Sequence, residues 1–208
     1  MKLISNNLAD GGRIAGGNAF CIPADSGHAC LGENRNPHLA WSGLPTGTRS
    51  LVLICNDPDV PSRPDDVNQE GRTVPASLPR TDFTHWVLVD LPPAGEIAEG
   101  EFSSEVTPCG KPGPAGPRGT RQGINSFTAW FAGDEQMKGD YYGYDGPCPP
   151  WNDEIIHHYT FTLYALDVER LPLVGRFEAA DVHRAMAGHV LGEASLAGTY
   201  TLNPALGD

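Results

Sequence analysis

A mainly β fold is predicted by three features of this 208-residue chain. Glycine (25) and proline (19) are abundant, yet they are spread along the chain rather than concentrated in a low-complexity block. Short apolar runs rich in branched residues end at turn formers, as strands do. Only one segment carries a clear helical period. The length suits one substantial domain with its own core, and residues 1–208 are read as that single domain.

Four runs read as strands. Ser50 to Cys55 (Ser-Leu-Val-Leu-Ile-Cys) is short and continuously apolar, so it is expected to be buried on both faces. Thr84 to Leu91 is similar and stops at Pro92-Pro93, which cannot continue a ladder. Tyr159 to Leu166 alternates, with Thr160 and Thr162 facing away from Phe161 and Leu163. Gly198 to Leu202 reads as a closing strand. The helix is expected from about Ala179 to Leu191, where Val182, Ala185, Met186 and Val190 recur at helical spacing. A second, short helix is expected near Ser126 to Ala132. Two long connections remain, Pro61 to Phe83 and Phe102 to Gln122. Loops of that length either serve a binding site or are tolerated surface insertions, and both readings stay open.

The formal net charge is −12. Such acidity disfavours nucleic acid and anionic membrane surfaces as partners, while leaving room for a local anion site. The start has no apolar core of signal-peptide length, and no run could span a membrane, so a cytoplasmic location is expected by default. Five cysteines in a chain of this size argue against a full disulfide framework. Cys55 reads as a buried thiol. Cys21–Cys30 and Cys30–Cys109 are both feasible bridges. Cys21, His28 and Cys30 lie close together, but no second pair follows at zinc-site spacing.

The chemistry is expected where strands begin and end. Asn56-Asp57-Pro58-Asp59-Val60-Pro61 follows the buried strand directly, and its prolines stiffen it. Taken alone, Asp57 and Asp59 read as turn formers. His85 opens the strand to Leu91. His157-His158-Tyr159 opens another, after the turn Tyr144-Asp145-Gly146-Pro147-Cys148-Pro149-Pro150. Exit and entrance of antiparallel neighbours lie side by side, so Asp57, His85 and His157 can gather at one sheet edge. Residues 157 and 159 share a face and His158 points away, which selects His157 and Tyr159. Two imidazoles, one oriented and raised in pKa by a carboxylate, with a phenol hydroxyl, suit a phosphate-like anion. The Gly146-Pro147 turn offers backbone groups beside them. No Gly-x-Ser-x-Gly elbow and no phosphate loop are present. Spacing does not separate an anion pocket from an open zinc position at the same residues.

With these residues in hand, the chain resembles the phosphatidylethanolamine-binding protein family, in its bacterial Raf-kinase-inhibitor-like branch. The resemblance rests on Asn36-Pro37-His38-Leu39-Ala40-Trp41-Ser42-Gly43-Leu44-Pro45, Asp57-Pro58-Asp59-Val60-Pro61-Ser62 and His85-Trp86-Val87-Leu88-Val89. It continues through Gly146-Pro147-Cys148-Pro149-Pro150, His157-His158-Tyr159, Tyr164-Ala165-Leu166-Asp167, Gly188-His189-Val190-Leu191 and Gly198-Thr199-Tyr200. These pieces occur in the family's order and cover nearly the whole chain. The resemblance implies a large central antiparallel sheet packed against a smaller sheet, with a C-terminal helix, and homodimers. It implies a pocket lined by Asp57, His85, His157 and Tyr159 and shaped by Asp59, Pro61, Gly146 and Pro149. It also links that pocket to phosphate or phospholipid head groups and to regulation or inhibition of a kinase or protease. His158 stands where the family usually has arginine, and the two long loops exceed those of compact members. A pocket of this kind would hold a head group, with no apolar groove expected for acyl chains.

The reading is therefore of a non-enzymatic anion-binding module with a possible protein partner. It needs no cofactor and no resident metal, and no residue is assigned a catalytic role. The alternative is a hydrolase using Asp57 and His85 as an acid–base pair on a phosphoester.

Overall fold

The computed structural model describes residues 1–207. Its strands, in chain order, are β1 (Lys2–Ile4), β2 (Gly12–Arg13), β3 (Cys21–Pro23), β4 (Ala29–Leu31), β5 (Leu39–Ser42), β6 (Ser50–Pro61), β7 (Arg80–Leu91), β8 (Glu96–Ile97), β9 (Arg121–Gln122), β10 (His157–Leu166) and β11 (Val190–Tyr200). Six form the main sheet in the order β2-β11-β10-β6-β7-β9. It is antiparallel except where β2 runs parallel to β11, so the sheet is mixed. A smaller sheet, β1-β5-β8, and the β3-β4 hairpin complete the strands.

The central strands are buried on both faces, and their alternation sorts two cores. Leu51, Leu53 and Cys55 of β6 join Trp86 and Leu88 of β7 and Tyr159, Phe161, Leu163 and Ala165 of β10. The smaller sheet adds Leu3, Leu39 and Ile97 to this side. On the opposite side, Val52, Ile54, Val87 and Val89 pack with Phe177, Val182 and Met186. Val182 belongs to a helix, α2 (Ala179–Ala185); α1 (Phe127–Trp130) is a single turn beside β7. Burying branched side chains on both faces is what a continuous apolar strand is suited to do.

Several predicted boundaries move. The paired strands extend well past the apolar runs, because polar residues such as Asp57 and Arg80 also join the ladder. α2 opens with a capping box between Glu178 and Asp181, but it ends at Ala185 rather than near Leu191. Gly188 takes φ +82°, a left-handed geometry that turns the chain into β11 at Val190. That last strand therefore runs from Val190 to Tyr200 rather than starting at Gly198.

The cysteine pairings read from the sequence are also corrected. Cys21 bonds to Cys148, across 127 residues, while Cys30, Cys55 and Cys109 are free thiols. The bridge fastens β3 to the Gly146–Pro150 turn. Backbone bonds reinforce it, since Phe20 and Cys21 both donate their N–H to the Pro147 carbonyl at 3.0 Å. Gly146 is required by close approach, because a Cβ there would lie 2.2 Å from the Asn18 carbonyl oxygen.

Breaking a loop-closing bridge of this span is expected to cost about 2–5 kcal/mol. Urea unfolding of the native protein should shift to lower denaturant on adding a reductant. The Cys21→Ala/Cys148→Ala variant should unfold at the reduced protein's midpoint and ignore the reductant. A native midpoint unmoved by complete reduction would show that the crosslink contributes nothing.

Candidate functional site

The ladder brings the predicted residues to one end of the main sheet. On β10, Thr160 pairs with Asn56 of β6, which sets Tyr159 and His157 beside Asp57. His85 reaches them through an irregularity. Cys55 pairs with Trp86 and Asn56 with Thr84, so His85 is an extra residue with no opposite number on β6. A bulge of this kind puts consecutive side chains on one face. His85 thus turns to the side of Trp86, and its ring meets Tyr159 edge-on at 5.0 Å.

His157 is enclosed between two carboxylates. Its Nδ1 lies 2.8 Å from Asp57 Oδ2 and its Nε2 lies 3.2 Å from Asp153 Oδ2. Arg80 grips Asp153 with both terminal nitrogens, at 2.6 and 3.0 Å. Asp57 Oδ1 is occupied by the Asp59 N–H at 2.8 Å. Burial alone would lower the His157 pKa. The hydrogen bonds to Asp153 and Asp57, with their charges, outweigh it and raise the pKa to about 9. For Asp153 burial works upward, and the bonds from His157 and Arg80 overcome it and lower the pKa. The result is a buried chain of alternating charge, Asp57, His157, Asp153 and Arg80, closed within the protein.

His85 behaves differently. Burial lowers its pKa, and the charge of Asp57 only partly compensates. Its Nδ1 donates to the Asp145 carbonyl oxygen at 2.7 Å, which fixes the tautomer and leaves Nε2 as a bare acceptor. The Asp145 carboxylate is itself fully buried and is met by Lys111 Nζ at 3.0 Å and by the side-chain amides of Asn34 and Asn125, both at 2.7 Å. Burial lowers the Lys111 pKa, opposed by Asp145. The Lys111 ammonium also donates to the Tyr144 carbonyl.

Tyr159 is 1% exposed, and among the described residues its hydroxyl has no hydrogen-bond partner. Burial first, then the nearby Asp57 charge, pushes its pKa well up, although no hydrogen bond of sound geometry joins the two. The phenol is therefore a protonated donor.

These groups line a cavity of about 260 Å³. Asp57, His85, His157 and Tyr159 line its polar part. Phe20, Phe83, Phe127 and Phe131 form much of its wall, with Pro61, Pro149 and the Cys21–Cys148 bridge. Leu31 and Trp130 bound it too and are themselves exposed, at 59% and 48%. The sequence showed no apolar groove for acyl chains, and it did not show this wall either. The apolar wall escaped notice because its aromatic residues come from separate segments that only the fold assembles.

Two of the residues expected to shape the pocket stand behind it. Asp59 does not line the cavity; it accepts from the backbone N–H and Nδ1 of exposed His158, at 2.9 and 2.8 Å. The Gly146 N–H is spent on Asn34 Oδ1 at 2.8 Å, and the Pro147 carbonyl on residues 20 and 21, so this turn offers neither group to a ligand. Nor does His157 have a free ring nitrogen to donate.

The long connections divide in their roles. Val67 and Asn68 of the first line the cavity. That loop is bound to Asn152, whose side-chain amide donates to the carbonyls of Asp66 and Arg72 at 2.8 and 3.1 Å. The second delivers Lys111 to Asp145. Asp153, Arg80 and Lys111 were not singled out in the sequence. Asp153 lies four residues before His157, but that spacing marks a shared face only in a helix, and these residues form a turn.

The comparisons agree with this architecture. Residues 5–201 match the family described as phosphatidylethanolamine-binding protein. A UPF0098 protein of Methanothermobacter thermautotrophicus is 36% identical over 200 residues, covering 96% of this chain and 98% of its own. The UPF0098 protein YbhB of Escherichia coli is 31% identical, covering 97% of this chain and 100% of its own. Among solved structures, Escherichia coli YbcL, described as a new member of the mammalian PEBP family, superposes with a TM-score of 0.67. It is 25% identical, over 96% of this chain and 97% of its own. This chain belongs to the phosphatidylethanolamine-binding protein family. No helix among the described residues is long and apolar enough to cross a membrane.

The two histidines give opposite dependences on pH. His157 has a raised folded pKa, so its contribution is complete below its unfolded value of 6.5 and is lost as pH rises through about 9. That gap corresponds to on the order of 3 kcal/mol. His85 has a lowered folded pKa, so its contribution is present above 6.5 and is lost as pH falls below it. Urea unfolding at pH 6.5, 8 and 9.5 should show an alkaline decline in the native protein that is absent from His157→Gln. Equal declines in both proteins would mean that His157 is not the charged link between the carboxylates.

Proposed function

We propose that this protein is a binding protein for a small ligand with a phosphate-like acid head group and an apolar remainder. The observation that carries the reading is the pairing of Tyr159 Oη, a buried donor without a partner, with an aromatic-walled cavity of about 260 Å³. A buried hydroxyl left unmet costs about 1–3 kcal/mol, which a ligand oxygen would recover. Charge balance supports the same reading. Asp57 and Asp153 carry two negative charges and His157 and Arg80 two positive ones. A singly charged head group therefore enters a site of no net charge rather than a negative one. The family's name supports a phosphorylated head group such as phosphoethanolamine.

Binding is favoured over turnover because Asp57 is not poised as a base. Both its oxygens already accept hydrogen bonds, from Asp59 and His157, and neither is bonded to His85. The Cys55 thiol of β6 is buried, and burial raises its pKa well above the ordinary value. A regulatory protein partner is consistent with this reading and is not required by it.

Titration with inorganic phosphate and phosphoethanolamine, followed by NMR of the imidazoles, tests the reading. Saturable shifts are expected at His85, with much smaller ones at His157. Tyr159→Phe should weaken binding about tenfold or more, as expected for a lost hydrogen bond to a charged group. If no imidazole responds to any phosphate compound, the protein is not such a binder.

A further inference from the structure

A question the anion reading leaves open is which protonation state of the head group the cavity takes. Its polar part looks at first like a cationic trap, with two histidines and an arginine close by. The hydrogen bonds give a different result. Arg80 is clamped bidentately on Asp153, and both His157 nitrogens face carboxylates. Among Asp57, His85, His157 and Tyr159 at the polar end of the cavity, two groups remain for a ligand. Tyr159 Oη is a donor with no partner. In the neutral ring His85 Nε2 is an acceptor, because the single ring proton sits on Nδ1 to bond the Asp145 carbonyl.

We propose that the cavity selects acid head groups that keep a proton, a singly ionised phosphate monoester over a sulfate ester, with His85 Nε2 accepting that proton and Tyr159 Oη donating to a neighbouring oxygen. The inference rests on the anion-binding reading and specifies its ligand. A phosphate monoester has its second ionisation near about pH 6, so near neutrality part of it still carries a P–O–H. A sulfate ester has the same shape and no such proton. Against a bare acceptor it presents a second acceptor, which leaves both buried and unpaired, the arrangement by which sites reject near-isosteres.

The surroundings keep His85 in this role. The titratable groups around it are Asp57 on β6, His157 and Tyr159 on β10, and Asp145 with its partner Lys111 behind the ring. Phe83 and Phe127 cover the rest at 5.0 and 5.6 Å and desolvate it. The charge of Asp57 would favour an imidazolium, but its carboxylate is already committed to Asp59 and His157. A dianion would also meet that carboxylate with an additional negative charge of its own. The proton stays on the ligand, shared with Nε2, and no bond is broken.

The test compares phenyl phosphate with phenyl sulfate by calorimetry at pH 6, 7 and 8, using the full-length protein. At pH 6 phenyl phosphate should bind at least tenfold tighter than phenyl sulfate. Its affinity should fall about tenfold for each pH unit above its second ionisation. The ¹⁵N spectrum of the complex should show His85 Nε2 without a proton of its own. Two results would overturn the inference while leaving the anion reading intact: equal affinity for the two esters, or a protonated His85 ring in the complex. Failure of both esters to bind at every pH would remove the anion reading, and the inference with it.

Discussion

Three neighbouring strands and one turn are tied together by the chain Asp57–His157–Asp153–Arg80. Asp57 comes from β6, His157 from β10, Arg80 from β7 and Asp153 from the turn before β10. None of these groups would be stable in this position alone, because an isolated buried charge costs several kcal/mol. Each is tolerable because the next one answers it, so the chain is kept or lost as a unit. Its geometry also depends on the strand register, since Thr160 must face Asn56 for His157 to fall between the two carboxylates. The polar end of the sheet and the pairing of its strands therefore constrain each other.

The same chain decides what a ligand can meet. By engaging both carboxylates, the two terminal guanidinium nitrogens and the imidazolium, it converts a site rich in charge into one that presents little of it. At its polar end the groups left for a ligand are a phenol donor and an imidazole acceptor, set against a largely aromatic wall. Affinity here must come from matched hydrogen bonds and apolar contact rather than from long-range attraction, which suits a chain whose formal net charge is −12. Electrostatic steering would hinder an anion approaching such a surface. A neutral, pre-organised floor limits the penalty to the approach and does not extend it to the bound state.

The sequence made the strands legible because their signal is local. Ser50 to Cys55 and Tyr159 to Leu166 announce burial and alternation within a few residues, and strand ends suggested where Asp57, His85 and His157 would meet. What it hid was everything set by long-range pairing. The face taken by His85 depends on a bulge, which a period-2 reading would place on the opposite side. The partner of Cys21 lies 127 residues away, and connectivity of that kind does not follow from spacing. Arg80 and Asp153 are unremarkable until β7 and the pre-β10 turn are set side by side. Phe20, Phe83, Phe127 and Phe131 come from separate segments, and only the fold places them around one cavity.

Of the two long loops, which the sequence left between function and tolerated insertion, the first lines the cavity through Val67 and Asn68 and the second is a support. Lys111 would be costly to bury on its own account, and the gain is the position of Asp145. With its carboxylate held by Lys111, Asn34 and Asn125, the backbone at residue 145 cannot swing away, and its carbonyl stays aimed at His85 Nδ1. That carbonyl can only accept, so the ring donates from behind and, when neutral, accepts in front. A loop more than twenty residues upstream of the turn thus fixes, through one buried ion pair, the hydrogen-bonding character of the ring on the far side of the strand. The specificity of the cavity is set as much by what lies behind His85 as by the residues a ligand would touch.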